Sequence, residues 1–213
     1  MTRRTGGAAS PRPLAAPAAV DTERLKREIR RTYATVSREP GREQIFPTGR
    51  AWADDLDYPE ELARVPETAV ASFAGVANPF SLGRLAPGER VLDLGCGAGT
   101  DTLVAAQMVG PGGSVVAVDM TPEMLERARR AADELGAANV RLVEAEAERL
   151  PLPDESVDVA ISNGVIDLVP DKDAVFAELF RVLVPGGRVQ LADVTIQRPV
   201  SEEGRRNIDL WTG

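Results

Sequence analysis

A chain of 213 residues has room for one domain and a tail, and its net charge of −8 argues against a nucleic-acid surface, which needs a basic stripe. No apolar run approaches the roughly 20 residues of a membrane-spanning helix. A single cysteine, Cys96, excludes a disulfide within these residues and points to a reducing, cytoplasmic setting; the absence of histidine removes the commonest general base and the commonest metal ligand together. A small-molecule ligand fits this balance, and no metal site is expected.

Residues 1–20 are rich in Ala, Pro, Gly and Arg without a continuous apolar core, so they read as a disordered tail rather than a signal segment. Residues 21–86 read as a helical cap with loops. Asp21 can cap a helix running to about Ser37, with Leu25, Ile29, Tyr33 and Val36 at helical spacing. Glu39–Pro59 is expected to be irregular, with turns at Pro40-Gly41 and Pro47-Thr48-Gly49. Asp54, Asp55 and Asp57 form a solvated acidic patch without metal-ligand spacing. Glu60–Arg64 reads as a short helix stopped before Pro66. Phe73–Phe80 is a loop of small residues leading into Ser81–Leu85, and Pro87-Gly88 turns the chain into the domain at 87–213.

That domain opens on Val91–Asp101. Val91–Leu94 is a short buried strand, followed by glycines at alternate positions, Gly95, Gly97 and Gly99, and by a helix over Thr102–Val109. Strand, glycine turn and helix form the first unit of a nucleotide-binding α/β fold, in which bare backbone approaches the ligand and the helix N-terminus faces it. The dinucleotide fingerprint needs glycine at the sixth position from Gly95, where Thr100 stands, so that pattern fails. A tight turn without a ligand is the alternative, but it leaves Asp93 ending a buried strand without a partner, which is costly.

The alternation then continues. Ser114–Val118 is a strand ending at Asp119; Thr121 and Pro122 read as N-cap and first residue of a helix to about Leu135. Val140–Val143 and Val157–Ser162 are strands, Asp171–Val184 a helix, and Arg188–Val194 a fifth strand after Pro185-Gly186-Gly187. The fold class is α/β, a doubly wound parallel sheet with ligands at the carboxyl ends of its strands. Asp119, twenty residues past Gly99, can accept hydrogen bonds from both ribose hydroxyls or, alternatively, cap the following helix. Met120 offers a soft surface to an adenine face.

The pattern Asp93-x-Gly95-x-Gly97-x-Gly99 resembles motif I of the class I S-adenosylmethionine-dependent methyltransferases. The resemblance implies S-adenosylmethionine as cofactor, with Asp93 facing its positive amino-acid end and the Gly95-Cys96-Gly97 turn and Gly99 packed under methionine and ribose. It implies that Glu146, with Ala147 beside it, meets the adenine amino group, leaving Glu144 and Glu148 to solvent. It puts Asn163 nearest the methyl group, with Gly164 and Val165 as walls, unless Asn163 merely caps the strand exit. It also folds the N-terminal helix over the cofactor, so that Tyr33 lines the site, unless the stripe that carries it is an ordinary packing face.

Further phrases narrow the likeness: Val118-Asp-Met-Thr-Pro-Glu-Met124, Ser162-Asn163, Leu168-Val-Pro-Asp-Lys172, Arg181-Val-Leu-Val-Pro-Gly-Gly187 and Asn78-Pro79. Together they resemble the arsenite methyltransferase family, which holds trivalent arsenic with soft thiolate ligands. The family cysteines fall on Val76 and Gly164 here, and a third falls just past Gly213. Cys96 fills a small space in the cofactor loop. No thiolate cage can be assembled, so the acceptor is expected to be another small molecule. Five strands are fewer than such sheets carry, which makes a truncated chain an expectation. A non-catalytic or truncated cofactor-binding protein is the alternative, and a nicotinamide oxidoreductase is disfavoured by the glycine spacing. No catalytic residue is assigned; Asp167 and Asp193 are the carboxylates that could act as a base.

Overall fold

The computed structural model describes residues 21–39, 46–195, 197 and 201. The expected tail at 1–20, the Pro40-Gly41 turn and the end of the chain lie outside the described residues.

Helix α1 (Thr22–Arg38) begins where Asp21 accepts a hydrogen bond from the Arg24 N–H, and it buries Leu25, Ile29 and Val36. The next stretch is not irregular throughout. It contains α2 (Arg50–Asp55), whose Ala53 is fully buried, and the Trp52 indole N–H donates to the Gly75 carbonyl at 2.7 Å. Tertiary packing thus makes a six-residue helix that lacks a side-chain cap. A 3-10 turn at Glu60–Arg64, the short α3 (Glu67–Val70) and a second 3-10 turn at Pro79–Leu82 complete the cap; Asn78 caps the last by accepting from the Phe80 N–H.

The sheet comprises β1 (Arg90–Leu94), β2 (Ser114–Asp119), β3 (Val140–Glu144), β4 (Val157–Asn163) and β5 (Leu183–Ala192). All neighbours are parallel, in the order β3-β2-β1-β4-β5. Helices α4 (Thr100–Val109), α5 (Pro122–Leu135) and α6 (Lys172–Val182) make the crossovers. The chain reverses its winding at β1, where β2 and β4 flank it, and in such sheets the ligand crevice opens beyond the carboxyl ends at that point.

Side chains of β1 alternate between two cores, as the two-residue period requires. Val91 joins Leu103, Val104 and the cap residues Leu62, Val70 and Phe73 on one face. Leu92 and Leu94 join Val175, Leu179 and Val182 of α6 on the other. Trp52 and Tyr58 of the cap pack against the first core, so cap and sheet share one interior.

The fifth strand starts earlier than Arg188 and stops at Ala192, before Val194. Val157 pairs with Leu183 and Val159 with Arg188, so two steps on β4 match five on β5 and Pro185-Gly186-Gly187 bulges within the strand. Because Leu183 is already in the ladder, α6 ends at Val182 and not at Val184.

Candidate functional site

The glycine turn is fastened to β2. The N–H groups of Gly95 and Cys96 both donate to the Val118 carbonyl, at 2.8 and 2.9 Å, and the Gly97 N–H donates to Asp119 Oδ2 at 2.9 Å. Asp119 Oδ1 accepts the Thr121 N–H at 2.8 Å, so this carboxylate joins the turn to the start of α5. Thr121 itself makes no side-chain cap bond. Burial raises the Asp119 carboxyl above its ordinary range, against the backbone donors that pull it down.

The three glycines serve different ends. At Gly95 (φ +75°) a Cβ would stand 2.3 Å from Val165 Cγ2, so the bare position admits the exit of β4. At Gly97 (φ +52°) nothing lies within 4 Å of the missing Cβ, which leaves open space above the turn. Gly99 faces Ala128 of α5, 3.1 Å from its would-be Cβ, and is outside the cleft lining, contrary to its expected place under the ligand. Cys96 does line the cleft, but burial pushes its thiol well up, so it is no thiolate ligand.

The cleft runs along the carboxyl edge. Ala147 and Glu148 form the β3 end, Asp119 and Met120 the β2 section, Asp93 and the turn its middle, and Asn163, Gly164 and Val165 the β4 end. Lys26, Ile29 and Tyr33 of α1 cover it, as the resemblance implied for Tyr33. Tyr33 stacks on Phe46 with centroids 6.5 Å apart, and burial raises its phenol.

Glu146 does not line this cleft. Its carboxylate accepts from Lys26 Nζ and Arg30 Nη2, each at 2.7 Å, and the Lys26 hydrogen bond leads in holding it below the usual carboxylate range. Glu148, expected to face solvent, is the acid that lines the cleft, 3.1 Å from Lys26 Nζ and with its side chain 15% exposed. The two cations of α1 come from more than a hundred residues away, so counting along the segment after β3 could not place them.

Asn163 lines the cleft, yet its amide is occupied. Oδ1 accepts the N–H groups of Val76 (2.8 Å) and Ala77 (3.3 Å); Nδ2 donates towards the Ala77 carbonyl, the Tyr58 hydroxyl and Asp101 Oδ2 at 2.8, 2.9 and 3.0 Å. It anchors the 75–78 loop rather than standing free beside a methyl group. Tyr58 in turn donates to Asp101 Oδ1 at 2.6 Å. Asp101 and Tyr58 escaped the sequence reasoning; the only signal was an acid in the first turn after the glycines. Asp93 accepts the Thr102 hydroxyl at 2.5 Å. Burial pushes the carboxyls of Asp93 and Asp101 upward, and the Asp101 charge adds to the effect on Asp93.

The two positions where the resemblance places cysteines meet in space: Val76 Cγ1 lies 3.2 Å from a Cβ built on Gly164. Here that contact is a methyl group against bare backbone. Asp167 and Asp193 are not among the groups lining the cleft. Asp193 accepts the Ile166 N–H at 2.9 Å, while burial and then the Asp193 charge push Asp167 up to about 7. Lys172 Nζ donates to the carbonyls of Ile166, Asp167 and Val169. Among the described residues no group of three or more His, Cys, Asp or Glu is arranged to hold a metal ion, and no helix is long and apolar enough to cross a membrane.

A parallel sheet with a ligand crevice at its winding reversal, a bare turn and an acid ending the second strand define a nucleoside-cofactor class of protein. Residues 85–211 match the family described as a methyltransferase domain, and the chain belongs to that family. In particular, it is similar to the arsenite methyltransferase of Halobacterium salinarum, 48% identical over 139 residues that cover 65% of this chain and 36% of that protein. It is also 40% identical over 127 residues to the ubiquinone/menaquinone biosynthesis C-methyltransferase of Vibrio parahaemolyticus, covering 59% of this chain and 48% of that one. Among solved structures, an arsenic (III) S-adenosylmethionine methyltransferase from Chlamydomonas reinhardtii aligns with a TM-score of 0.58 and 39% identity, covering 76% of this chain and 53% of that one. The chain spans less than half the length of these two curated relatives.

Proposed function

We propose that this chain binds S-adenosylmethionine in the cleft and directs its methyl group to a small organic acceptor. The observation that carries the proposal is the pairing of Asp119 with the open space over Gly97, at the winding reversal of the sheet. The donor set fits the group: Asp119 suits a ribose diol, Met120 and Ala147 offer an adenine surface, and Asp93 at the β1 end with Asp101 at the start of α4 suit positive charge.

When bound, S-adenosylmethionine supplies a methyl already activated by a sulfonium leaving group. The task left to the protein is alignment and exclusion of water. Gly97 lets a ligand approach the backbone, Gly95 admits Val165 of the β4 exit, α1 covers the cleft, and the Asn163 amide fixes the 75–78 loop as part of its wall. The Val76–Gly164 contact offers an apolar surface and no soft ligand, which favours an organic acceptor over arsenite. Residues 21–86 serve as the cap and 87–213 as the methyltransferase domain. A cytoplasmic setting without a nucleic-acid partner is part of the same reading, supported by the lone cysteine and the acidic charge balance. A cofactor-binding unit without turnover of its own is the second reading, favoured by the absence of the candidate bases Asp167 and Asp193 from the cleft lining.

Titration calorimetry with S-adenosylmethionine, S-adenosylhomocysteine and NAD tests the first reading. Wild type is expected to bind the first two and not NAD, and Asp119→Ala to weaken both by about ten- to a hundredfold, the worth of a charged hydrogen bond. NAD binding with no response to S-adenosylmethionine would overturn it.

A further inference from the structure

Asp93 is the acid that the resemblance assigns to the amino-acid end of the cofactor, but the structure places a second carboxylate at that end. Asp101 stands in the first turn of α4, is 8% exposed and lines the cleft together with Asp93. Asp93 is 2% exposed and receives the Thr102 hydroxyl. The groups that face Asp101 are the Tyr58 hydroxyl from the cap, the Asn163 amide from β4 and, through charge, Asp93 from β1; Asp119 of β2 acts on Asp93 in the same way. None of these carries positive charge. Among the described residues Asp93, Asp101 and Asp119 form no ion pair, and Lys26 is the one cation lining the cleft, held at the β3 end by Glu146 and Glu148.

Two buried carboxylates near each other without a counter-ion are unfavourable unless a proton or an external cation joins them. Each Asp101 oxygen accepts one hydrogen bond from the protein and has a second lone pair left. The start of α4 adds its dipole, which favours the ionised form of an acid in the first turn. Burial leads in raising the Asp101 carboxyl, while the hydrogen bonds from Tyr58 and Asn163 favour its charged form and fix the plane of the carboxylate. We propose that Asp101 binds the ammonium group of the cofactor's amino-acid portion, as a second acid alongside Asp93. The inference rests on the placing of S-adenosylmethionine in this cleft.

Three ligands separate the possibilities: S-adenosylmethionine, S-adenosylhomocysteine and 5′-methylthioadenosine, which keeps the nucleoside and lacks the amino-acid portion. In titration calorimetry, Asp101→Asn is expected to weaken the first two by about ten- to a hundredfold and to leave the third unchanged. Tyr58→Phe keeps the charge and is expected to change none of the three by a comparable factor. Equal loss of all three ligands in both variants would show that Asp101 only pegs Tyr58, and would overturn the proposal. Asp119→Ala is expected to weaken all three; if it weakens none, the cleft itself is misread and this inference falls with it. A measurement on wild type alone guards against a variant that fails to fold. Around pH 6, where Asp101 titrates, in buffers of different ionisation enthalpy, the two ligands with an ammonium group are expected to release protons on binding and 5′-methylthioadenosine is not. Identical proton release for all three would also overturn the proposal.

Discussion

Gly95 and Gly97 stand two residues apart in one turn and answer to different constraints. A methyl at Gly95 meets Val165 at 2.3 Å in a left-handed backbone, so Gly95→Ala is expected to destabilise the chain by about 2–4 kcal/mol in urea unfolding, from backbone strain and overpacking together. A methyl at Gly97 meets nothing within 4 Å. Gly97→Ala is therefore expected to cost only about 1–2 kcal/mol of stability but to lose most of its affinity for S-adenosylmethionine, because the methyl points into space that the ligand needs. If Gly97→Ala binds like wild type, the cofactor does not approach that backbone. Sequence spacing alone treats these glycines alike, since it cannot show which neighbour each one faces.

The cover formed by α1 depends on a cation that the helix pattern presents as an ordinary charge. Lys26 is only 9% exposed and joins both Glu146 and Glu148, whereas the Arg30 side chain is 37% exposed. Lys26→Met takes the ion-pair partner from Glu148 and leaves Glu146 with Arg30 alone, and is expected to cost about 1–3 kcal/mol, with faster release of cofactor in stopped-flow fluorescence. Arg30→Ala loses a pair screened by water and is expected to cost under about 1 kcal/mol. Equal effects of the two substitutions would mean that α1 is not held at Lys26. The same element takes up Glu146. That acid has the right distance from Leu150-Pro151 to meet a ligand, but in the folded chain it is directed to α1 while Glu148 takes the cleft.

Among the described residues, four carboxyls, those of Asp93, Asp101, Asp119 and Asp167, hold their protons more tightly when folded than when unfolded. Burial leads in each, raising Asp93 to about 8, Asp101 to about 6 and Asp167 to about 7. Stability gained from such groups is present at low pH and is lost as pH rises through the folded values. The Tm of the cofactor-free chain is therefore expected to fall from about pH 5 to about pH 8. Glu89, Glu146, Asp158 and Glu178 are shifted the other way by their arginine or lysine partners. Their contribution is present above the unfolded value and disappears below about pH 4.5, so stability peaks near pH 5. Scanning calorimetry at fixed ionic strength checks this; a Tm that rises between pH 5 and pH 8 would contradict it.

At this same scale, the residues alone determined the alternation of strand and helix, the parallel sheet, the glycine turn and the acid ending β2. These follow from local periodicity and turn chemistry, which the chain carries within a few residues of each site. Only the tertiary structure decided that α2 is helical, that Pro185-Gly186-Gly187 bulges inside β5, and that Glu148 replaces Glu146 at the cleft. It alone brought Tyr58, Asp101 and Asn163 together across 105 residues of chain. Burial and the positions of distant charges set those outcomes, and neither quantity exists until the chain has closed on itself.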